Sequence, residues 1–274
     1  MSDNVAAPAR KWWPPSGTGA YTALGAVTLV VVWWLVSVIG FRHTGFVPTP
    51  VSVLVRFVHD LGDPVYWRAI SVTSAEAAKG YLWGNLLAFA VAVVVLMVPW
   101  LEGVATQTAV IASCIPVTAI APLVVLMSDT ASRAASAFLA AMMVFYTTVI
   151  GSILGFKAAD VTALEVVRAY GGGRWKRLVK VRLIAAVPNV MAALRIAAPA
   201  AFTGAVLGEF FLSGVDSGLG IMLMAAQVAI QPQALWALAL LCAAVAGIFY
   251  AVVSGIAAAA TAWARGVPVR GGRS

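Results

Sequence analysis

Six long apolar runs leave this chain little choice of fold. They cover residues 21–39, 74–98, 104–127, 134–156, 190–212 and 234–263. Each is near the length, about 20 apolar residues, that carries a helix across a bilayer. Composition agrees: 62% of the 274 residues are hydrophobic and the mean hydropathy is +0.96, whereas a soluble domain is apolar at about half its positions. The expected fold class is all-α integral membrane, with six transmembrane helices. One membrane domain, 20–265, is expected between a polar tail at 1–19 and another at 266–274. Cys114 and Cys242 lie inside apolar runs without metal-ligand spacing, so no metal site is expected and a disulfide has no support. The first 19 residues hold no short apolar core with a small-residue cleavage site, so the first span is expected to stay in the protein.

The interruptions between and within the runs carry most of the information. Arg10-Lys11 before Trp12-Trp13 reads as an interfacial anchor. After span one, Pro48, Pro50 and Pro64, with Arg42, Arg56, Asp60 and Asp63, exclude a crossing. Residues 51–61 keep helical apolar spacing there and read as a short helix on the membrane surface. Span two opens with Glu76 and Lys79, which share a helix face and can pair. That pair is either a solvated helix end or part of a polar path or subunit contact. Span three holds Pro116 and Pro122, and each proline removes a backbone donor and kinks a helix. The span is either a bent packing helix or a pathway-lining one. Gly151 and Gly155 in span four are spaced for close helix contact. Span five holds Glu209 near its end. Ser217-Gly218-Leu219-Gly220 and an amphipathic stretch to Gln231 follow.

Charge gives the orientation. With the N-terminus inside, twelve Lys and Arg residues fall on the inner side: Arg10, Lys11, Lys157, Arg168, Arg174, Lys176, Arg177, Lys180, Arg182, Arg265, Arg270 and Arg273. Four fall outside, Arg42, Arg56, Arg68 and Arg133, while Lys79 and Arg195 lie in or at the edge of spans. The asymmetry predicts cytoplasmic termini, and bilayer orientation explains the net charge of +8 without nucleic acid. Eight of the eighteen basic residues crowd into one segment, 157–195, between spans four and five. Two short helices fit it. Asp160 or Thr162 can cap the first, with Glu165 near its positive end. Gly171-Gly172-Gly173 then forces a turn into a second helix over 174–185, which begins at Arg174 and Trp175. Such a knob suits a groove on a partner; the plainer reading is a basic loop that only fixes topology.

The segment resembles the cytoplasmic loop of permease subunits in ABC importers, a Glu-Ala-Ala motif followed by a glycine and an Ile-x-Leu-Pro run. Glu165 and Gly171 stand at the first two marks, Val181 and Leu183 at the Ile and Leu marks. Val166-Val167 replace Ala-Ala, and Ile184 replaces the proline. Pro188 and the stretch to Leu194-Arg195 match the start of the next span in that family. Phe46-Val47-Pro48-Thr49-Pro50, Ile115-Pro116 with Ala119 and Pro122-Leu123, and Glu209 with Gly218-Leu219-Gly220 are similar to the nitrate, sulfonate and taurine branch. Two positions depart from that branch: Met127-Ser128-Asp129-Thr130 replaces a Trp-Phe-Gly-like turn, and Glu76 stands where a basic residue is expected.

The resemblance implies an importer with two permease subunits, a cytoplasmic ABC ATPase dimer and an extracytoplasmic solute-binding protein. ATP and Mg would sit on the ATPase, leaving no cofactor in this chain. It has no Gly-x-x-x-x-Gly-Lys-Ser/Thr loop, so it is not expected to be an enzyme. The implied ATPase-coupling residues are Glu165, Ala169, Gly171, Gly172, Gly173, Arg174, Trp175 and Leu183, within a loop at 157–188. Polar or kinking residues that could line a path are Glu76, Lys79, Pro116, Thr118, Pro122, Thr203 and Glu209, with Thr147 and Thr148 beside them. The second permease subunit is expected to be identical or homologous, and the departures weaken the case for an identical one. The main alternative is an ion-coupled secondary transporter, for which Glu209 would be the ionisable group. A lipid-modifying enzyme finds no support, since His43 and His59 lack catalytic partners at useful spacing.

Overall fold

Among the described residues every regular element is helical. The structure, a computed structural model, describes residues 18–41, 45–98, 100–128, 132–212 and 214–262. The anchor at 10–13, Arg42, His43, Asp129, Thr130, Trp263 and the basic residues of the C-terminal tail lie outside the described residues. Among the described residues, five helices are long and apolar enough to cross a membrane. They are α1 (Thr18–Leu35, extended by a π turn at Val36–Gly40), α3 (Pro64–Met97), α6 (Ala134–Lys157), the run Arg174–Phe211, and α11 (Pro232–Ala260). The surface helix is α2 (Pro50–Asp60): Thr49 caps it, accepting from the Ser52 N–H at 3.3 Å.

Three expectations change. The second span begins at Pro64, well before residue 74, because a proline at the first helical position and an Asp63 cap (2.9 Å to the Val65 N–H) start the helix there. The third is not one helix. It divides into α4 (Leu101–Ser113) and α5 (Val117–Leu126), of 13 and 10 residues, each shorter than the about 20 needed to cross alone. Pro116 makes the break: it lacks the N–H that would bond one turn back, and it takes an extended conformation at φ −62°, ψ 119°. Pro122 sits inside α5 without ending it. The third change is in the basic segment. Its first helix is α7 (Val161–Ala169), but the second does not stop at residue 185. From α8 (Arg174–Arg177) the chain passes through a π turn, Leu178–Arg182, straight into α9 (Leu183–Phe211). Arg177 to Leu183 stays in right-handed helical geometry, so nothing ends the helix before the span.

The centre of the bundle is α6, clasped between α3 and α9 by small residues. A Cβ on Gly80 would come within 2.3 Å of the Ala140 methyl, and one on Gly84 within 2.5 Å of the Ala141 carbonyl oxygen. On the other flank, Gly204 and Gly208 face the backbone of Ala140 and Ser136, at 2.8 and 2.5 Å from an added Cβ. Between membrane helices such close approach takes the place of the hydrophobic effect, which hydrocarbon cannot supply. The pairings also fix direction. Gly80 meets Ala140 while Asn85 meets Thr148, so α3 and α6 run parallel. Gly204 meets Ala140 while Gly151 meets Ala193, so α9 runs antiparallel to both. The chain between α3 and α6 therefore travels back along the bundle through α4 and α5. Outside this core, α10 (Leu219–Val228) and α11 pack on α9. Trp33 of α1 stacks on Trp236 of α11 with ring centroids 5.3 Å apart.

Candidate functional site

Charge concentrates at the two ends of the bundle. At one end the chain leaves α6 at Lys157 and enters α7, where the Asp160 carboxylate accepts from the Thr162 N–H at 3.0 Å. Of the two caps offered by the sequence, Asp160 is the one used. The helix closes on a double turn: the Gly171 N–H donates to the Arg168 carbonyl at 3.0 Å and the Gly172 N–H to the Val167 carbonyl at 2.8 Å. That pair of bonds needs a left-handed residue between them, and Gly171 supplies it at φ +76°. Gly172 is needed for space, since a Cβ there would lie 2.5 Å from the Val167 carbonyl oxygen. Gly173 is extended and open around its Cβ position, so nothing local demands a glycine.

The surface this turn presents is unusual for a loop. Tyr170 is 88% exposed and Trp175 65%, beside exposed Glu165, Ala169 and Arg174. Val166, one of the two valines that replace alanine, is also exposed, while Val167 is half-buried beneath the turn. Leu183 lies beyond the π turn on the long helix and is exposed too. Large exposed aromatic residues next to a membrane helix mark a contact surface.

At the other end the polar groups turn inward. Glu209 is fully buried, and its Oε2 accepts from the Thr73 hydroxyl at 2.8 Å and the Gly220 N–H at 3.0 Å. Thr73 Oγ1 in turn accepts from the Leu219 N–H at 3.0 Å. Arg133 lies 3.7 Å from Glu209 Oε1 and donates to the Ser217 carbonyl. Asp216 joins Arg133 to Arg68. Gly218, at φ +151°, passes so close that a Cβ would sit 2.6 Å from the Glu209 carboxyl carbon. One carboxylate thus fastens the ends of α3 and α9 to the Ser-Gly-Leu-Gly loop. Sequence reasoning does not single out Thr73, Arg133 or Asp216: Thr73 and Arg133 sit far along the chain from Glu209 and only the fold brings them to it, while Asp216, close in sequence, reaches the cluster through Arg133.

The other path residues separate by exposure. Glu76 is buried and pairs with the exposed Lys79 at 3.0 Å, well inside α3 rather than at a solvated end. Thr203 and Thr118 are exposed on α9 and α5, as is Pro116, and Pro122 is half-buried. The Thr203 hydroxyl donates to the Pro199 carbonyl at 3.0 Å. Thr148 donates to Asn85 at 2.6 Å, a buried polar pair between α3 and α6. Among the described residues no cluster of His, Cys, Asp and Glu could hold a metal ion.

A family profile described as the binding-protein-dependent transport system inner membrane component matches residues 84–265, from the middle of α3 beyond the end of α11. The chain belongs to this family. It is similar to a probable ABC transporter permease protein of Haemophilus influenzae, at 29% identity over 81% of this chain and 89% of that one. It is also similar to the riboflavin transport system permease protein of Chloroflexus aurantiacus, at 26% identity over 81% of each. A third relative is the putative aliphatic sulfonates transport permease protein of Bacillus subtilis, at 25% identity over 73% of this chain and 71% of that one. With the taurine transport system permease protein of Escherichia coli also similar at 22% identity, the chain is an ABC importer permease of the sulfonate and taurine branch. It is an integral inner-membrane subunit and not itself an enzyme. The family is served by a separate ATPase and a binding protein, so the ion-coupled alternative falls away.

Proposed function

We propose that this permease forms one half of a membrane pathway whose coupling loop, 157–188, seats in a cleft of the cytoplasmic ATPase. The exposed Tyr170 and Trp175 on either side of the Gly171 turn carry this reading. ATP and Mg would act on the ATPase dimer, and closure of that dimer would move α7 and α8. For that movement to do work, ATP must favour one arrangement of the spans over the other. Both termini face the cytoplasm, as the charge asymmetry implies. The pair α4–α5 makes the sixth crossing, a reading supported by the parallel run of α3 and α6.

Within the pathway, Thr118, Thr203, Pro116 and Pro122 line the solute side, because their helices leave them accessible or half-accessible in a single subunit. Glu209 and Glu76 hold the frame instead. The solute is a small organic molecule of the sulfonate or taurine kind, or nitrate, presented at the outer mouth by the binding protein. A homologous, non-identical permease completes the pathway, since the loop departs from the family pattern at Val166, Val167 and Ile184.

Co-purification of the ATPase with membrane-inserted variants tests the coupling role. Gly171→Val and Glu165→Ala are expected to reach the membrane and lose the ATPase, and normal association would count against the proposal. Expressing this chain with only its ATPase tests the pairing. A stable homodimer that transports would overturn the heterodimer.

A further inference from the structure

Where α3 ends, a cavity of about 260 Å³ opens between Leu96 and Met97 and the start of the long helix, where Arg174, Arg177, Leu178 and Arg182 face it. Three arginines line it. Among the described residues no acidic side chain lines the cavity and none of the three guanidinium groups is in an ion pair. The Arg177 Nε is buried and makes no hydrogen bond, a state that costs free energy until an acceptor arrives. The π turn explains the clustering. Its ring closes from the Leu183 N–H to the Leu178 carbonyl, five residues back, so positions five apart stack where an α-helix would splay them. Arg177 and Arg182 are such a pair.

We propose that this cavity binds the phosphoryl headgroup of an anionic phospholipid. Guanidinium groups are the side chains best matched to phosphate oxygens, and basic pockets between membrane helices are typical seats for such headgroups. A lipid fits better than a free anion because of what lies beside the arginines. Leu96 and Met97 are the last residues but one and last of a membrane-spanning helix, so the cavity opens where the bilayer interface meets α3. The preceding turns of α3 wall a second, almost wholly apolar groove of about 550 Å³, with Val91, Val94, Val95, Leu101, Phe145 and Val149. An acyl chain can lie there while its headgroup meets the arginines. The inference is independent of the solute; its arginines lie within the coupling loop 157–188, on the side that faces the end of α3 rather than at the exposed Tyr170 and Trp175 turn.

The test is native mass spectrometry of the assembled transporter, offered phosphatidylglycerol and phosphatidylcholine in equal amounts. Wild type is expected to retain phosphatidylglycerol selectively. The Arg177→Gln, Arg182→Gln pair is expected to lose that preference by about thirtyfold, the effect of removing two basic contacts at a charged surface. Leu96→Trp, which fills the cavity and keeps every charge, should lose it as well and stands in if the glutamine pair fails to assemble. Equal retention of both lipids by wild type overturns the proposal, and so does a preference that survives both sets of substitutions. If inorganic phosphate alone raises the wild-type thermal midpoint while phosphatidylglycerol does not bind, the site takes a soluble anion and the lipid is overturned. Loss of the ATPase from the glutamine pair with lipid preference unchanged would assign the arginines to partner docking instead.

Discussion

The two ends of the bundle handle charge in opposite ways. Around Glu209 every charge faces another part of the same chain: Thr73, Arg133 and the Gly220 backbone close on it, the Leu219 N–H holds Thr73, and Asp216 pairs with Arg133. Around Arg174, Arg177 and Arg182 no acidic side chain among the described residues closes, and Tyr170 and Trp175 are exposed beside them. Charges paired within a subunit hold its frame, whereas charges left unpaired at a membrane edge point to something outside it. The first end is built and the second is waiting.

The sharpest way to break this contrast is Glu209→Ala. It strands Arg133, the Thr73 hydroxyl and the Gly220 N–H, and a broken buried pair of this kind costs about 3–5 kcal/mol. The thermal midpoint of the detergent-purified chain should fall, with the Ser-Gly-Leu-Gly loop opening to proteolysis. Gly208→Val near the same end drives a side chain into the Ser136 backbone, and overpacking of this sort costs about 1–3 kcal/mol; chemical denaturation of the reconstituted protein would show it. At the open end, Gly171→Ala forces a side chain into left-handed geometry at about 1–2 kcal/mol. That cost is local, so it should appear as weaker ATPase co-purification with the global midpoint little moved. Smallest of all, Arg174→Gln should leave stability within about 0.5 kcal/mol, as for an exposed residue with no partner in its own chain. If Arg174→Gln destabilised as much as Glu209→Ala, the contrast would be lost.

Much of this was readable in the amino-acid order, and the misses have physical causes. Spans one, four and six are bounded by what their composition says, because long apolar runs need no tertiary help to be recognised. The capped turn at Asp160 and Gly171 was legible for a similar reason: caps and left-handed glycines act within a few residues. The start of span two is hidden in the sequence because Arg68, Ser71 and Thr73 look like a loop, although Asp63 and Pro64 start the helix before them. At Pro116 the sequence predicts a kink and the fold has a break, since nothing in the sequence says whether a neighbour holds the two halves in line. Glu209 was visible as a lone carboxylate, but its partners lie as far away as Thr73, and no spacing rule reaches that distance.

The π turn at Leu178–Arg182 has a mechanical side. Because it joins α8 to α9 without a break, the segment Arg174–Phe211 is one rod of 38 residues, about 57 Å long at the helical rise. Pro188 and Pro199 each remove a backbone bond from it, so it is a jointed lever with two points of give. One tip carries the free arginines and the other carries Glu209 and the loop it fastens. Any partner that binds one tip more tightly in one setting of the rod must shift binding at the other tip by the same factor.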